Sequence, residues 1–546
     1  MTPACVTVCS AELPAPAASG SIASGDAGAP AKSAKRSSIR ESFTPPASQS
    51  SHAAASRAQA LARLIWLWQT GIVPIQGAIA IDTVPEIEAV EAEQDIAPNA
   101  DGWTGPLTAF RAMRHRNFRL FFAGQLVSLI GTWMQMVAQA WLVLKLTNSP
   151  LMLGVVAFAG YFPIVLVSLF AGVVVDHVDR RRLIIAAQII LMTSAFVLSA
   201  LTWTGVVRVE YVIMLAAING LVSSFDMPGR QAFVVEMVTR EDLPNAIAMN
   251  SMIFNGARMV GPAVAGLSIA VIGVAPCFFL NGVSYLAVIW SLLQMDTPRR
   301  ERSEFGAAMF LRMREGLNYV WGHRPTFYLM LLVAINSGFG MQYTVLVPMF
   351  ARDLLHSGAR GYGFLMAVQG FGAVLAAIVM NSRSQAPRAL RQNLVFGIFC
   401  SAASIAVFGL SHSMWLSMLA QALIGVGLMH HMVTTNTMLQ LFVSDELRGR
   451  VMSIYTMSFI GTAPIGSLEV GYVGEHFGPR LAVLICSGFS LLCGCLLLTR
   501  LKMFAAAQAE TLAATTAPAH ARDGRGPNGE AESIRPEPPL IREVVD

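Results

Sequence analysis

Residues 151–175 read LMLGVVAFAGYFPIVLVSLFAGVVV, and residues 176–182 follow with DHVDRRR. The first stretch contains no charged residue, and the second is almost nothing but charge. An α-helix rises about 1.5 Å per residue, so this apolar run is long enough to cross roughly 30 Å of hydrocarbon. Only a segment that satisfies its own backbone hydrogen bonds can lie there, which makes it a helix. The charges mark where it leaves the bilayer.

Outward from this stretch the pattern repeats. Apolar segments fall at 118–146, 151–175, 183–203, 211–228, 246–272 and 276–295, then at 327–350, 362–380, 394–410, 414–439, 451–473 and 481–498. The reading is an all-α membrane protein with twelve transmembrane helices. Composition agrees: hydrophobic residues make up 54% and charged residues 13%, and mean hydropathy is +0.55. A soluble chain carries about 25% charge. The net charge of +5 comes from short loops at helix ends, without the clustered basic face of a nucleic-acid binder. Cys277, Cys400, Cys486, Cys493 and Cys495 lie inside apolar segments and read as core residues, with no metal or disulfide spacing.

The expected organisation is an N-terminal extension over 1–104, a six-helix bundle over 105–298, a cytoplasmic central loop over 299–325, a second six-helix bundle over 326–500 and a disordered tail over 501–546. The extension is rich in Ala, Ser and Pro, reads as disordered and lacks a signal-peptide pattern. Residues 61–81 are apolar enough to consider as a further span, though Gly71, Pro74 and Gly77 interrupt them. A natural start nearer Met113 stays open.

Charge asymmetry sets the expected orientation. One set of loops holds Arg111, Arg114, Arg116, Arg180, Arg181, Arg182, Arg230, Arg240, Arg299, Arg300, Arg302 and Arg324, with more beyond. The opposite set holds only Lys145, Arg208, Arg352, Arg360 and Arg480. Both termini and the central loop are therefore expected in the cytoplasm, with the chain in the cytoplasmic (inner) membrane.

The halves resemble each other. Ser128 matches Ser337, Gly131 matches Gly340 and Gly154 matches Gly363 at one constant offset, and Asp242-Leu243 aligns with Glu446-Leu447. A parallel repeat of six helices, related by a pseudo-two-fold axis along the membrane normal with the site between the halves, is a recurring transporter plan.

Three sets of residues carry the mechanism. In the first, Gly172 is expected to let two helices approach closely. Asp176 closes a helix on the same side as the start of the eleventh helix, whose positive end stabilises a carboxylate. Arg180 and Arg181 pair with Asp176 or with lipid phosphates, or act only as topology signals. This reads as a gating latch, absent from the second half, where Asn381-Ser-Arg-Ser-Gln385 stands instead.

In the second set, Gln125, Ser128, Thr132, Gln135 and Gln139 share one face of the first helix. They face a water-filled cavity or hydrogen-bond to another helix. Asn219 in the fourth helix, Asn336 and Gln342 in the seventh, and His430 and Asn436 in the tenth extend this candidate substrate cavity. A His here is either a cavity group or a satisfied core residue. The third set is the charges inside spans. Arg258 lies halfway along the fifth helix, where it needs a partner or a wet cavity. Asp226 is the nearest acid by depth, and Glu469 is the other. The three are candidates for proton coupling or for a charge pair, functional or structural.

The Gly172–Arg182 loop resembles the signature loop of the major facilitator superfamily. Gly261, Pro262 and Gly266 in the fifth helix resemble the Gly-Pro signature of its antiporters, with Ala265 in place of a glycine. The motifs at Asp226–Ala232, Asn245–Asn250 and Ala257–Gly261 resemble the branch of the enterobactin exporter and macrolide efflux proteins. The resemblance covers roughly 105–500. It implies alternating access and export of a drug or siderophore-like metabolite by a monomer. No nucleotide-binding motif occurs, so the proton gradient is the expected energy source, without cofactor or metal. The alternatives are a lysophospholipid or other metabolite transporter and, from another class, a transporter-like membrane sensor or scaffold. No nucleophile–base or cofactor pattern suggests an enzyme.

Overall fold

A computed structural model describes residues 105–295, 308–381 and 386–516. The extension over 1–104, with the candidate span at 61–81, lies outside the described residues. Among those described, twelve helices are long and apolar enough to cross a membrane. In order they are Arg116–Thr147, Pro150–His177, Arg180–Trp203, Val209–Met237, Leu243–Ile272 and Ala275–Leu293. The second six begin with Arg324–Leu354. Gly358–Asn381, Pro387–Leu410 and Met414–Phe442 follow, then an eleventh span in two segments, Asp445–Gly461 and Ala463–Phe477, and finally Pro479–Thr516.

The spans run longer than apolarity alone implies. The fourth continues through Pro228 to Met237, so Arg230 belongs to the helix and not, as expected, to a loop. The last helix draws in residues 501–516, which were expected to belong to the disordered tail. The seventh is regular to Ile335 and then passes through a π-turn at Asn336–Gly340 and a 3-10 stretch at Met341–Leu346. Such turns free backbone groups and mark functional hinges. The charged stretch read as a central loop holds a helix of its own, Ala308–Gly322. It is pinned by an Arg450–Glu315 ion pair and by the Tyr319 hydroxyl donating to Phe442 O at 2.9 Å.

Turns repeat between halves. Asn148 after the first span and His356 after the seventh hold φ of 52° and 48°. Gly273 and Gly478, after the fifth and eleventh, both hold φ of 89°, a conformation that favours glycine.

Packing differs between the two membrane faces. The first six spans pack mainly among themselves, as do the last six, and the main joins between them are the second with the eleventh and the fifth with the eighth. At the face bearing few arginines, one hydrophobic core draws on both halves, from Val143 and Val156 to Val347, Leu365 and Val470. Towards the arginine-rich face the cores separate. One, around Phe118, Phe233 and Leu292, belongs to the first half, and another, around Leu329, Leu439 and Phe504, belongs to the second.

Glycines set the joins. A Cβ on Gly154 would lie 3.2 Å from Gly471 Cα, and one on Gly363 would lie 2.7 Å from Gly266 Cα. Backbone meets backbone at both places, as small residues permit inside a bilayer. Near the other face, a Cβ on Gly172, Gly256 or Gly449 would meet nothing within 4 Å. The close approach expected at Gly172 is absent because the halves part there.

Candidate substrate-binding site

Arg258 sits about halfway along the fifth span. Its guanidinium carbon lies 5.9 Å from the Trp133 ring centroid, in the face-on range of a cation–π contact. Trp133 meets Phe254 edge-to-face at 5.9 Å. The backbone at Arg258 and Met259 abuts Gly370 of the eighth span. No hydrogen bond or ion pair neutralises Arg258 among the described residues. The cation–π contact contributes about 0.5–2 kcal/mol. An arginine at mid-bilayer costs about 2.5–3.5 kcal/mol, so the contact does not offset the cost.

The expected Asp226–Arg258 pair does not form. Asp226, buried in the fourth span, pairs with Arg230 one turn on and accepts from Gln188 Nε2 at 2.9 Å. An i,i+4 partner was within reach in the sequence, but counting Arg230 as a loop residue hid it. Glu469, the other acid considered, has a buried Oε2 with no hydrogen-bond partner.

The first-span stripe turns mostly towards the sixth span. Gln135 accepts from Asn281 Nδ2 at 2.6 Å. A Cβ on Gly131 would lie 2.6 Å from Ser284 Oγ. Ser128 and Gln125 are buried, and Gln125 Oε1 has no hydrogen-bond partner. Thr132 donates to Ser128 O at 2.9 Å, and Gln139 is half-buried. Interhelical hydrogen bonding, one of the two readings of this stripe, describes Gln135.

In the second half, Asn336 Oδ1 accepts from Ser490 Oγ at 2.8 Å, while its Nδ2 is buried without a partner. It lines a narrow crevice with Ser337, Met341, His431 and Tyr455. Gln342 Nε2 donates to Ser337 O at 2.9 Å. His430 Nδ1 donates to Val426 O at 2.9 Å, and its ring meets Phe396 edge-on. Asn436 accepts from Gln440 Nε2 at 3.0 Å. Asn219 Oδ1, in the fourth span, is buried without a hydrogen-bond partner.

A network missed in the sequence lies behind Arg258. Gln369 Nε2 donates to the Tyr343 hydroxyl at 2.9 Å, and that hydroxyl donates to Gln421 Oε1 at 3.0 Å. It ties the seventh, eighth and tenth spans. Two glutamines inside apolar helices were the available signal, because buried amides require partners.

At the arginine-rich face, Arg180 pairs with Glu236 at 2.6 Å, and Arg181 donates to Leu292 O at 2.7 Å and Leu293 O at 2.8 Å. These arginines fasten the third span to the ends of the fourth and sixth. The side chain of Asp176 lies outside those described. The fifth-span signature is a packing device. A Cβ on Gly261 would lie 2.5 Å from Trp133 Cβ, Pro262 is buried, and Gly266 faces Gly363.

The family described as transmembrane secretion effector, of the major facilitator superfamily, matches residues 107–524. The chain belongs to this family. It is a membrane transporter of small molecules. This major facilitator is 24% identical over 366 residues to the staphyloferrin A transporter of Staphylococcus aureus (strain NCTC 8325 / PS 47), covering 66% of this chain and 90% of the relative. It is 26% identical to the multidrug efflux pump Tap of Mycolicibacterium fortuitum, covering 67% and 90%. Among solved structures it resembles a bacterial homologue of the iron transporter ferroportin in an inward-facing state, with TM-score 0.58, 14% identity and coverage of 70% and 98%. That likeness concerns the fold.

Proposed function

We propose that this transporter exports small molecules across the cytoplasmic membrane by alternating access, in exchange for protons. The arginine-rich face is cytoplasmic, and two six-helix bundles related by a pseudo-two-fold axis rock about the site as a monomer. The observation that carries this reading is the asymmetry of the cores: one core shared by both halves at the outer face, separate cores at the cytoplasmic face. Such a molecule is open inwards and sealed outwards. Wild-type cargo of drug or siderophore type is supported by the names of the relatives above. Of the two acids considered for the coupled proton, Asp226 is engaged by Arg230 and Gln188, which leaves Glu469, whose Oε2 has no hydrogen-bond partner, as the better candidate.

The test uses full-length protein in inverted membrane vesicles. Uptake of candidate drugs or siderophores should follow an imposed proton gradient and collapse with a protonophore. Uptake indifferent to the protonophore would remove proton coupling. Spin labels on the cytoplasmic ends of the second and eleventh spans should report a wide distance that shortens when cargo and a proton gradient are present. A single fixed distance would remove alternating access.

A further inference from the structure

Arg258 is a cation placed deep in the spans with its counter-ion missing. Neither acid considered above pairs with it. Asp226 is held by Arg230 and Gln188, and no ion pair joins Arg258 to Glu469. The groups behind it are neutral: the Tyr343 hydroxyl is engaged by Gln369 and Gln421. Arg258 as a whole is half-buried, and none of its nitrogens is among the buried atoms that lack a partner. Met252 and Phe254 of the same span are 51% and 40% exposed.

The geometry leaves a docking edge. The Trp133 ring lies 5.9 Å from the guanidinium carbon, and a cation–π contact at that distance leaves the guanidinium N–H groups without a hydrogen-bond acceptor. Those donors match the two oxygens of a carboxylate in a bidentate pair. Phe254 and Trp133 supply an apolar wall beside that position.

We infer that Arg258 receives an anionic group on the cargo, with Trp133 and Phe254 holding the adjoining apolar body. The transported class is then organic anions, carboxylates above all, rather than the cationic amphiphiles that a carboxylate-lined site would select. This rests on the exporter reading of the same cleft, and the test separates the two.

Purified full-length protein in nanodiscs is titrated with 1-pyrenebutyrate, 1-pyrenebutyramide and 1-pyrenebutylamine, which share a body and differ in charge. The acid should bind about tenfold more tightly than the amide. Arg258→Gln should abolish that preference, bringing acid binding down to that of the amide, and Arg258→Lys should keep part of it. Equal binding of acid and amide, no acid binding, or an acid preference surviving in Arg258→Gln would overturn the site. Should Arg258→Gln fail to fold, the wild type still decides. Phenylglyoxal modification of Arg258, followed by peptide mass spectrometry, should be slowed by the acid and not by the amide, and no difference would overturn the proposal. Movement of the amine alone into inverted vesicles would overturn the anion site and leave export standing. Acid binding that depends on Arg258, with no probe moved, would uphold the site and count against export.

Discussion

The carboxylate of Glu475, at the end of the eleventh span, accepts from Ser149 Oγ at 2.6 Å and from Leu151 N at 3.2 Å. Ser149 itself caps the second span, accepting from Met152 N at 3.2 Å. A side chain of one half thus completes the helix start of the other, where free N–H groups and the helix dipole favour an anion.

Glu475→Ala should loosen this contact. Two exposed charge-assisted hydrogen bonds are lost, which amounts to about 1 kcal/mol after competition with water. The population open at this face should rise about fivefold. Reaction of a cysteine engineered beside Ser149 with a membrane-impermeant thiol reagent measures it, and an unchanged rate would show that Glu475 does not hold the seal.

Gly154→Leu should act more severely at the same join. Its Cβ would run into Ser467 O and lie 3.2 Å from Gly471 Cα, so the second and eleventh spans could not close. Membrane insertion should be normal and transport should fall at least tenfold. Normal transport by the variant would mean that the glycine contact is not required for turnover.

Asp226→Asn should destabilise the protein by about 2–3 kcal/mol, because the partly buried Arg230 would lose its counter-ion. The double variant Asp226→Asn with Arg230→Gln should recover most of the loss, whereas adding Arg258→Gln to Asp226→Asn should recover none. Thermal unfolding followed by size-exclusion fluorescence separates these outcomes. Rescue by Arg258→Gln would reinstate the pair that the structure does not contain.

His323 precedes the seventh span, stacked on Tyr319 at 5.3 Å with Nδ1 2.7 Å from Thr326 Oγ1. Burial lowers its pKa from 6.5, with the opposing charge of Glu510 the lesser influence. The unfolded chain therefore binds this proton more readily than the folded one. The stability linked to His323 is complete above pH 6.5 and is lost as pH falls through the lowered value. Between pH 7.5 and 5, His323→Gln should lose less thermal stability than the wild type. Equal losses would place the pH sensitivity elsewhere.

Much of this was legible in the chain. Apolar length gave the twelve spans, because the bilayer imposes one length on every crossing helix. The offset that pairs Gly131 with Gly340 returns in the packing, where Gly131 meets Ser284 of the sixth span and Gly340 meets Ser490 of the twelfth. Partners were harder to read. Asp226 found Arg230 because the helix continues through Pro228, and apolarity does not show where a helix ends in charged surroundings. Gln135 turned towards Asn281 because helical spacing names a shared face without saying which neighbour that face meets. The Tyr343 network joins three spans far apart in sequence, and no local pattern encodes such a meeting.

The joins at the face bearing few arginines are made by peptide backbone at Gly154 with Gly471 and at Gly266 with Gly363. A barrier built of side chains can be breached by rotamer flips within nanoseconds, whereas a backbone barrier yields only when whole helices move, on microsecond to millisecond timescales. In the proposed alternating-access cycle, these glycines would leave no fast leak for stray ions, and the pace of each turnover would be set by the displacement of entire helices.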